Sequence, residues 1–324
     1  MQNSKQKKQN KNSFFNKLLG EPNEAKASGM TFSLAVIVPV ILSFLFLIVI
    51  GALGLGSADV TQKNWYVYVS FLITPCASVL VATLYFAWTK KSIKTAIIEQ
   101  KCHPKYFFWA ILLQFGLMSL SELNTLFVDF LGKLGYKDSS MAGVESLIEN
   151  TNIVFLILVL AILPAVLEEV IFRGLLLKGL KGFGTVGAIL ICGGLFALYH
   201  QNPAQTIYQF CCGAAFALIA VKSGSILPTV LSHFVNNLLV IVLAKLGVAS
   251  FPLPVFIIMI IVFSLCLVGS LIYLIFFDKK GSCTQRMEKV NKKEKKGFWI
   301  FSAFGIIICA VSWVSMLVSG IVGA

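Results

Sequence analysis

Residues 153–174 read IVFLILVLAILPAVLEEVIFRG. Fifteen positions without a polar side chain lead directly into two carboxylates and, four residues after the second, an arginine. The run lacks the period-two alternation of a barrel strand, so it predicts a helix, and one long enough to cross the roughly 30 Å hydrocarbon layer. Charged groups inside such a helix cost about 2.5–3.5 kcal/mol each on insertion scales, so Glu168, Glu169 and Arg173 call for a physical reason.

Outward from this stretch the chain repeats the pattern. Apolar runs fall at 30–56, 65–88, 106–131, 151–177, 185–200, 204–222, 225–246, 253–277 and 298–322, nine candidate spans. The runs 185–200 and 204–222 are short, and only Gln201, Asn202 and Pro203 part them, as in a tight helical hairpin. Over 324 residues, 57% are hydrophobic and 13% charged, against about 25% charged in soluble domains. The expected fold is an all-α polytopic membrane protein, a bundle of about eight to nine transmembrane helices. It is organised as a basic tail 1–29, N-terminal helices 30–150, a core 151–246, and C-terminal helices 247–324. This excludes a cytosolic enzyme, a disordered chain and a disulfide scaffold.

The net charge of +13 is concentrated in the tail 1–28 and the loops 89–105 and 278–297. No groove-reading motif accompanies it, so the partner it implies is anionic lipid at the flanks of membrane helices, not nucleic acid. Positive-inside bookkeeping places the N-terminus in the cytoplasm and the mixed or acidic loops 57–64 and 132–150, with Asp59, Asp138, Glu145 and Glu149, outside. No cleavable signal is visible, so the first span reads as an uncleaved anchor. The eight cysteines show no C-x-x-C pair, and the six in apolar runs read as small hydrophobes.

Three helices carry polar groups at helical spacing. Glu169 and Arg173 are i,i+4 and can neutralise each other; Glu168, about 100° round, meets Phe172 at i+4 and has no such partner. Phe196 and His200 repeat the spacing, as do His233 and Asn237. One His or Asn alone would read as a hydrogen bond between helices. Two Glu, an Arg, two His and an Asn on three helices read instead as a site able to activate water against a carbonyl. Counting turns puts His200 deeper than Glu168 and His233 unless its short helix tilts or enters part-way. Glu122 and Asp129 share one face of the third span and read as interfacial; His103 reads as solvated. Gly51, Gly54, Gly56, Gly193 and Gly194 read as close packing, Pro164 as a kink that frees carbonyls near the site, and the 27 Phe as lipid-facing bulk.

At these residues the sequence resembles the CPBP family of intramembrane proteases, which includes the CAAX prenyl endopeptidases and the abortive-infection-like, bacteriocin-processing proteins. The signatures E-E-x-x-x-R (Glu168, Glu169, Arg173), F-x-x-x-H (Phe196, His200) and H-x-x-x-N (His233, Asn237) occur in order within 151–246. The resemblance implies peptide-bond hydrolysis, with Glu168 as general base, His200, His233 and Asn237 completing the site, and Glu169 and Arg173 supporting it. It leaves open a zinc ion on His200 and His233, with Glu168 or Asn237, or a metal-free glutamate mechanism. The implied partner is a peptide or membrane-protein substrate, prenylated or of leader type, in what the compact chain and Lys-rich flanks suggest is a bacterial cell membrane. The alternatives are a non-catalytic membrane regulator or bacteriocin-immunity protein and a proton-coupled transporter; no inverted repeat supports the transporter.

Overall fold

A backbone in hydrocarbon must satisfy its own hydrogen bonds, and each apolar run accordingly becomes a helix. A computed structural model of the protein describes residues 21–56, 60, 63–99, 101–138, 151–248, 250–278 and 292–323. Asp59, Glu145, Glu149 and most of the two terminal charge clusters lie outside the described residues. In chain order the helices are α1 (Glu24–Ala52), α2 (Asn64–Thr89), short α3 (Ile93–Ile97), α4 (Lys105–Met118) and α5 (Ser121–Lys133). They continue with α6 (Ile153–Gly179), α7 (Thr185–Tyr199), α8 (Thr206–Ser223), α9 (Leu227–Lys245), α10 (Leu253–Ile272) and α11 (Lys292–Val322). Helices α4 and α5 form one span, and eight spans among the described residues are long and apolar enough to cross a membrane.

The ninth expected span is not one of them. Helix α7 has 15 residues, about 22 Å at 1.5 Å per residue, short of the hydrocarbon thickness. It still reverses the chain, because the turn at Pro203–Gln205 returns directly into α8. The two helices meet through small residues: a Cβ on Gly193 would lie 2.8 Å from Ala214 N, and one on Gly213 would lie 2.9 Å from Gly193 Cα. Gly194, Gly51, Gly54 and Gly56 face open space, against the reading of close packing. Gly54, at φ 70°, turns the chain after α1 instead.

Both ends of the bundle are tied by polar contacts. At one end Lys91 pairs with Glu24, Lys178 and Lys181 meet Glu99 at 3.4 and 3.0 Å, and Lys105 meets Asp278 at 2.7 Å. An isolated bridge between Ile98 and Ser225 belongs to the same end. At the other end Lys245 Nζ donates to Thr151 O (3.1 Å) and Asn124 Nδ2 to Ala204 O (2.6 Å). The start of α11 lies at the first of these ends, where Gly297 is close to Lys26 and Gly29 to Phe298. His103 is exposed, as expected.

The core lies between α1, α2, α6, α7, α8 and α11, around Phe32, Phe172, Leu176, Phe196 and Phe298. The phenylalanines are thus not all lipid-facing bulk; these four are fully buried. Helix α11 closes on α1 where Ser33 Oγ donates to Phe301 O (2.6 Å) and accepts from Gly305 N (3.1 Å). A Cβ on Gly305 would stand 2.7 Å from Ser33 Cα, where backbone cannot yield. Gly305→Val is therefore expected to cost about 1–3 kcal/mol through overpacking, read as a lowered Tm in detergent. Gly51→Val, with nothing within 4 Å of its Cβ, leaves Tm unchanged.

Candidate active site

Helix α6 is not a uniform α-helix. Pro164 has no N–H to give the preceding turn, and the residues just before it, Ile157–Ile162, run in π register. A second π turn, Val170–Leu176, follows the two glutamates, so Glu168 and Glu169 sit on a short α segment, Leu163–Glu169, between two widened turns. Pro164, read from the sequence as a kink that frees carbonyls, is accompanied by a change of helical register beside the site.

Glu169 turns into the protein. Its Oε1 accepts from Arg173 Nη1 at 2.7 Å, and both side chains are fully buried. The same oxygen accepts from His233 Nδ1 at 3.1 Å, and Arg173 Nη2 donates to Gly213 O at 3.0 Å. The guanidinium carbon lies 4.5, 5.3 and 5.8 Å from the ring centres of Phe196, Phe216 and Phe172. Three aromatic faces thus surround the cation, which is favourable where water is excluded. One ion pair joins α6 to α8 and α9.

Glu168, about 100° round the helix, faces the other way, as its missing i+4 partner predicts. It lines a cavity of about 70 Å³ together with Phe196, His200, Gln209, Cys212, Phe216, His233, Asn236 and Asn237. That volume holds more than one water. Glu168 Oε2 is buried without a hydrogen-bond partner and lies 3.9 Å from His233 Nε2. His200 anchors its Nδ1 on Phe196 O at 2.9 Å, and His233 anchors its Nδ1 on Glu169. A carbonyl only accepts, so Nδ1 of His200 carries the proton, and the Arg173-paired carboxylate requires the same of His233. Each imidazole is left with its Nε2 as the unanchored nitrogen.

All six residues singled out in the sequence therefore meet. Glu168, His200, His233 and Asn237 line the cavity, and Glu169 and Arg173 stand behind it. The depth conflict for His200 resolves because α7 ends part-way, so that Phe196 lies 4.8 Å from the His200 ring and 6.0 Å from that of His233. Glu122 and Asp129 lie on α5 outside this cavity. Sequence reasoning missed Asn236 and Gln209 in the lining, and Gln114, fully buried, which donates from Nε2 to Asn236 Oδ1 at 2.9 Å. A signal for Gln114 was present: it is an amide alone in the apolar run KYFFWAILLQFGLM.

Two imidazole Nε2 atoms and a carboxylate are donors that zinc accepts, and anchoring of the opposite ring nitrogen is the usual support of such ligands. Among the described residues, however, no three of His, Cys, Asp and Glu stand together as a metal-holding group. Removing one partner of a buried ion pair leaves an uncompensated charge, at about 3–5 kcal/mol. Arg173→Met is expected to lower stability by that order, seen as loss of folded protein in detergent gel filtration and a fall in Tm. Adding Glu169→Gln to Arg173→Met should restore much of it.

The family model described as type II CAAX prenyl endopeptidase, Rce1-like, matches residues 150–239, the stretch that carries α6 through most of α9. No curated protein and no solved structure matches the chain. The family-model match covers under a third of the chain and supports the resemblance of this segment to the CPBP family of intramembrane proteases.

Proposed function

We propose that the protein is an intramembrane endopeptidase in which Glu168 activates a water against a peptide bond of a membrane-associated substrate. One observation carries this reading. Glu168 Oε2 is buried, lacks a protein partner, and opens on a cavity whose other polar walls are His200, His233 and Asn237. A bare carboxylate oxygen in that setting needs a donor, and water is the donor the cavity has room for.

The chemistry follows from which atoms are free. A water in the cavity donates one proton to Glu168 Oε2 and the other to an imidazole Nε2, which leaves its lone pair for the scissile carbonyl carbon. As the C–O bond forms, Glu168 takes the first proton and the carbonyl π pair moves onto oxygen. The Asn237 amide N–H stabilises that oxyanion. Glu168 then gives its proton to the amide nitrogen, the C–N bond breaks, and a carboxylic acid and an amine leave. The imidazoles hold the water; Glu169 and Arg173 hold His233. Were zinc present, His200 and His233 would be its nitrogen ligands and its chemistry would be to make the water more acidic. The steps above need no more than the protein atoms.

The route to the site supports a substrate with an apolar anchor. A cleft of about 290 Å³ runs between Ser70, Phe71, Thr74, Pro75 and Ser78 of α2 and Val159, Leu160, Leu163, Pro164 and Leu167 of α6, and it ends on Glu168. Its walls lie within two membrane-spanning helices, so a prenylated or leader-type peptide, or a membrane-protein segment, reaches the carboxylate from the bilayer. The lysines grouped at the α1, α4 and α11 starts favour the cytoplasmic side for that end, in a bacterial cell membrane.

Glu168→Gln, which keeps size and loses the base, is expected to lower cleavage of a quenched membrane-peptide panel by about 10²–10⁴-fold, with Tm and gel-filtration profile unchanged. Wild-type turnover that persists in a chelator supports the glutamate mechanism, and chelator-abolished turnover restored by zinc supports the metal. Equal turnover in both proteins defeats the protease reading. Leu163→Trp, which fills the cleft, is expected to raise KM for an apolar-anchored peptide roughly tenfold, about 1.4 kcal/mol of lost binding. It leaves a short soluble peptide unaffected, and equal KM for both peptides would place the entry elsewhere.

A further inference from the structure

The residue next to Asn237 in the string HFVNN is a second asparagine, Asn236, and the hydrogen bonds around it run in one direction. Asn236 Oδ1 accepts from Gln114 Nε2 of α4 at 2.9 Å and from the Tyr208 hydroxyl of α8 at 2.8 Å. Asn236 Nδ2 in turn donates to Asn237 Oδ1 at 3.0 Å. Two donors from two helices occupy the carbonyl end of the Asn236 amide, so its NH₂ end is the one left to face Asn237. That bond takes up the Asn237 oxygen and leaves the Asn237 NH₂ to the cavity.

An isolated asparagine side chain has two ends of nearly equal size and opposite polarity. At the edge of a cavity where an oxyanion forms, one end stabilises and the other repels. Polarity must therefore be imposed from behind, and preorganised dipoles are effective because they need no reorientation during reaction. Gln114 is fully buried in an apolar helix, where an amide is costly without a partner.

We infer that Gln114, Tyr208 and Asn236 form a polarity relay, in which Asn236 is a positioning residue that holds the Asn237 amide with its N–H groups facing the reacting carbonyl. The inference rests on the protease reading above and adds a second tier to the site. It also assigns Asn237 the role of donor to the oxyanion in preference to oxygen ligand of a metal.

The decisive variant is Asn236→Asp. A carboxylate of the same shape still accepts from Gln114 and Tyr208 but cannot donate to Asn237, so the Asn237 amide turns its NH₂ backward and its oxygen into the cavity. On detergent-purified protein, kcat is expected to fall about 100-fold, the lower end of the range for loss of an oxyanion donor, while KM stays within about twofold. Asn237→Leu lowers kcat similarly, and the double variant falls no further than Asn237→Leu alone, because the relay acts only through Asn237. Tyr208→Phe, which leaves Gln114 in place, gives a smaller loss in kcat and guards against a carboxylate that prevents folding.

Full activity in Asn236→Asp would mean the opposite polarity and overturn the relay, as would losses that multiply in the double variant. The Glu168→Gln control separates the two readings. If it is as active as wild type, or wild type cleaves nothing, the protease reading fails. The relay is then read on the Asn237 side-chain amide in ¹⁵N-asparagine-labelled protein, assigned by Asn237→Leu. A shift of that resonance in Asn236→Asp and in Tyr208→Phe supports the relay, and an unmoved resonance overturns it.

Discussion

The buried pair of Glu169 and Arg173 is the constraint on which the arrangement of the three motif helices depends. Neither charge could remain in the interior alone, and their contact at 2.7 Å neutralises both within one helix. The pair then has bonding capacity to spare. Arg173 spends it on the Gly213 carbonyl of α8, and Glu169 on the imidazole of His233 in α9. Gly213 must be small, since a Cβ there would meet Gly193 and Phe196, and the absence of one lets α7 close on α8. The same ion pair thus fixes the spacing of the helices and the ring orientation of an imidazole in the cavity. A buried pair is weak support for stability, but here it specifies a geometry.

Three of the cavity's polar groups, His200, His233 and Asn237, are held by hydrogen bonds to the protein around them. His200 rests on Phe196 O at the end of a helix too short to cross the membrane. His233 rests on Glu169, and Asn237 on Asn236. Among the residues that line the cavity, Glu168 is the one with a buried oxygen that lacks a hydrogen-bond partner. That pattern is what a site for water requires: fixed walls with one unsatisfied acceptor among them.

Much of this was legible in the sequence, and for identifiable reasons. The helices were, because apolar length is a strong signal in hydrocarbon, where backbone has few alternatives. The pairing of Glu169 with Arg173 and the outward turn of Glu168 followed from helical spacing alone. The shortness of α7 was visible as a doubt, but its consequence for the depth of His200 was not, because depth depends on where a helix ends in three dimensions. The glycines misled: Gly193 marks a helix contact and Gly194, its neighbour, faces nothing, a difference of 100° that composition does not show. Phe172 and Phe216 were counted with the lipid-facing bulk, but with Phe196 they surround Arg173. Gln114 was visible as a lone amide in an apolar run, but its link to the site, like that of Tyr208, was out of reach because both come from helices that carry no motif.

Glu168 and Glu169 show how adjacent identical residues acquire different chemistry. Both have the same intrinsic acidity and the same depth, and 100° of helix separates them. One is enclosed by a guanidinium and an imidazole and has its proton affinity committed to an ion pair. The other stands where a polar cavity of about 70 Å³ meets an apolar cleft of about 290 Å³. In the proposed mechanism, water reaches a carboxylate at such a junction from one side and an apolar-anchored chain from the other. Hydrolysis within a membrane needs those two reactants, which do not share a solvent, to meet at one atom. The π turns on either side of Leu163–Glu169 set how that α segment is rotated against the rest of α6, so a change of register would turn Glu169 from its ion pair and Glu168 from the cavity together. The register of this helix, set in part by Pro164, therefore does as much to define the site as the carboxylates themselves.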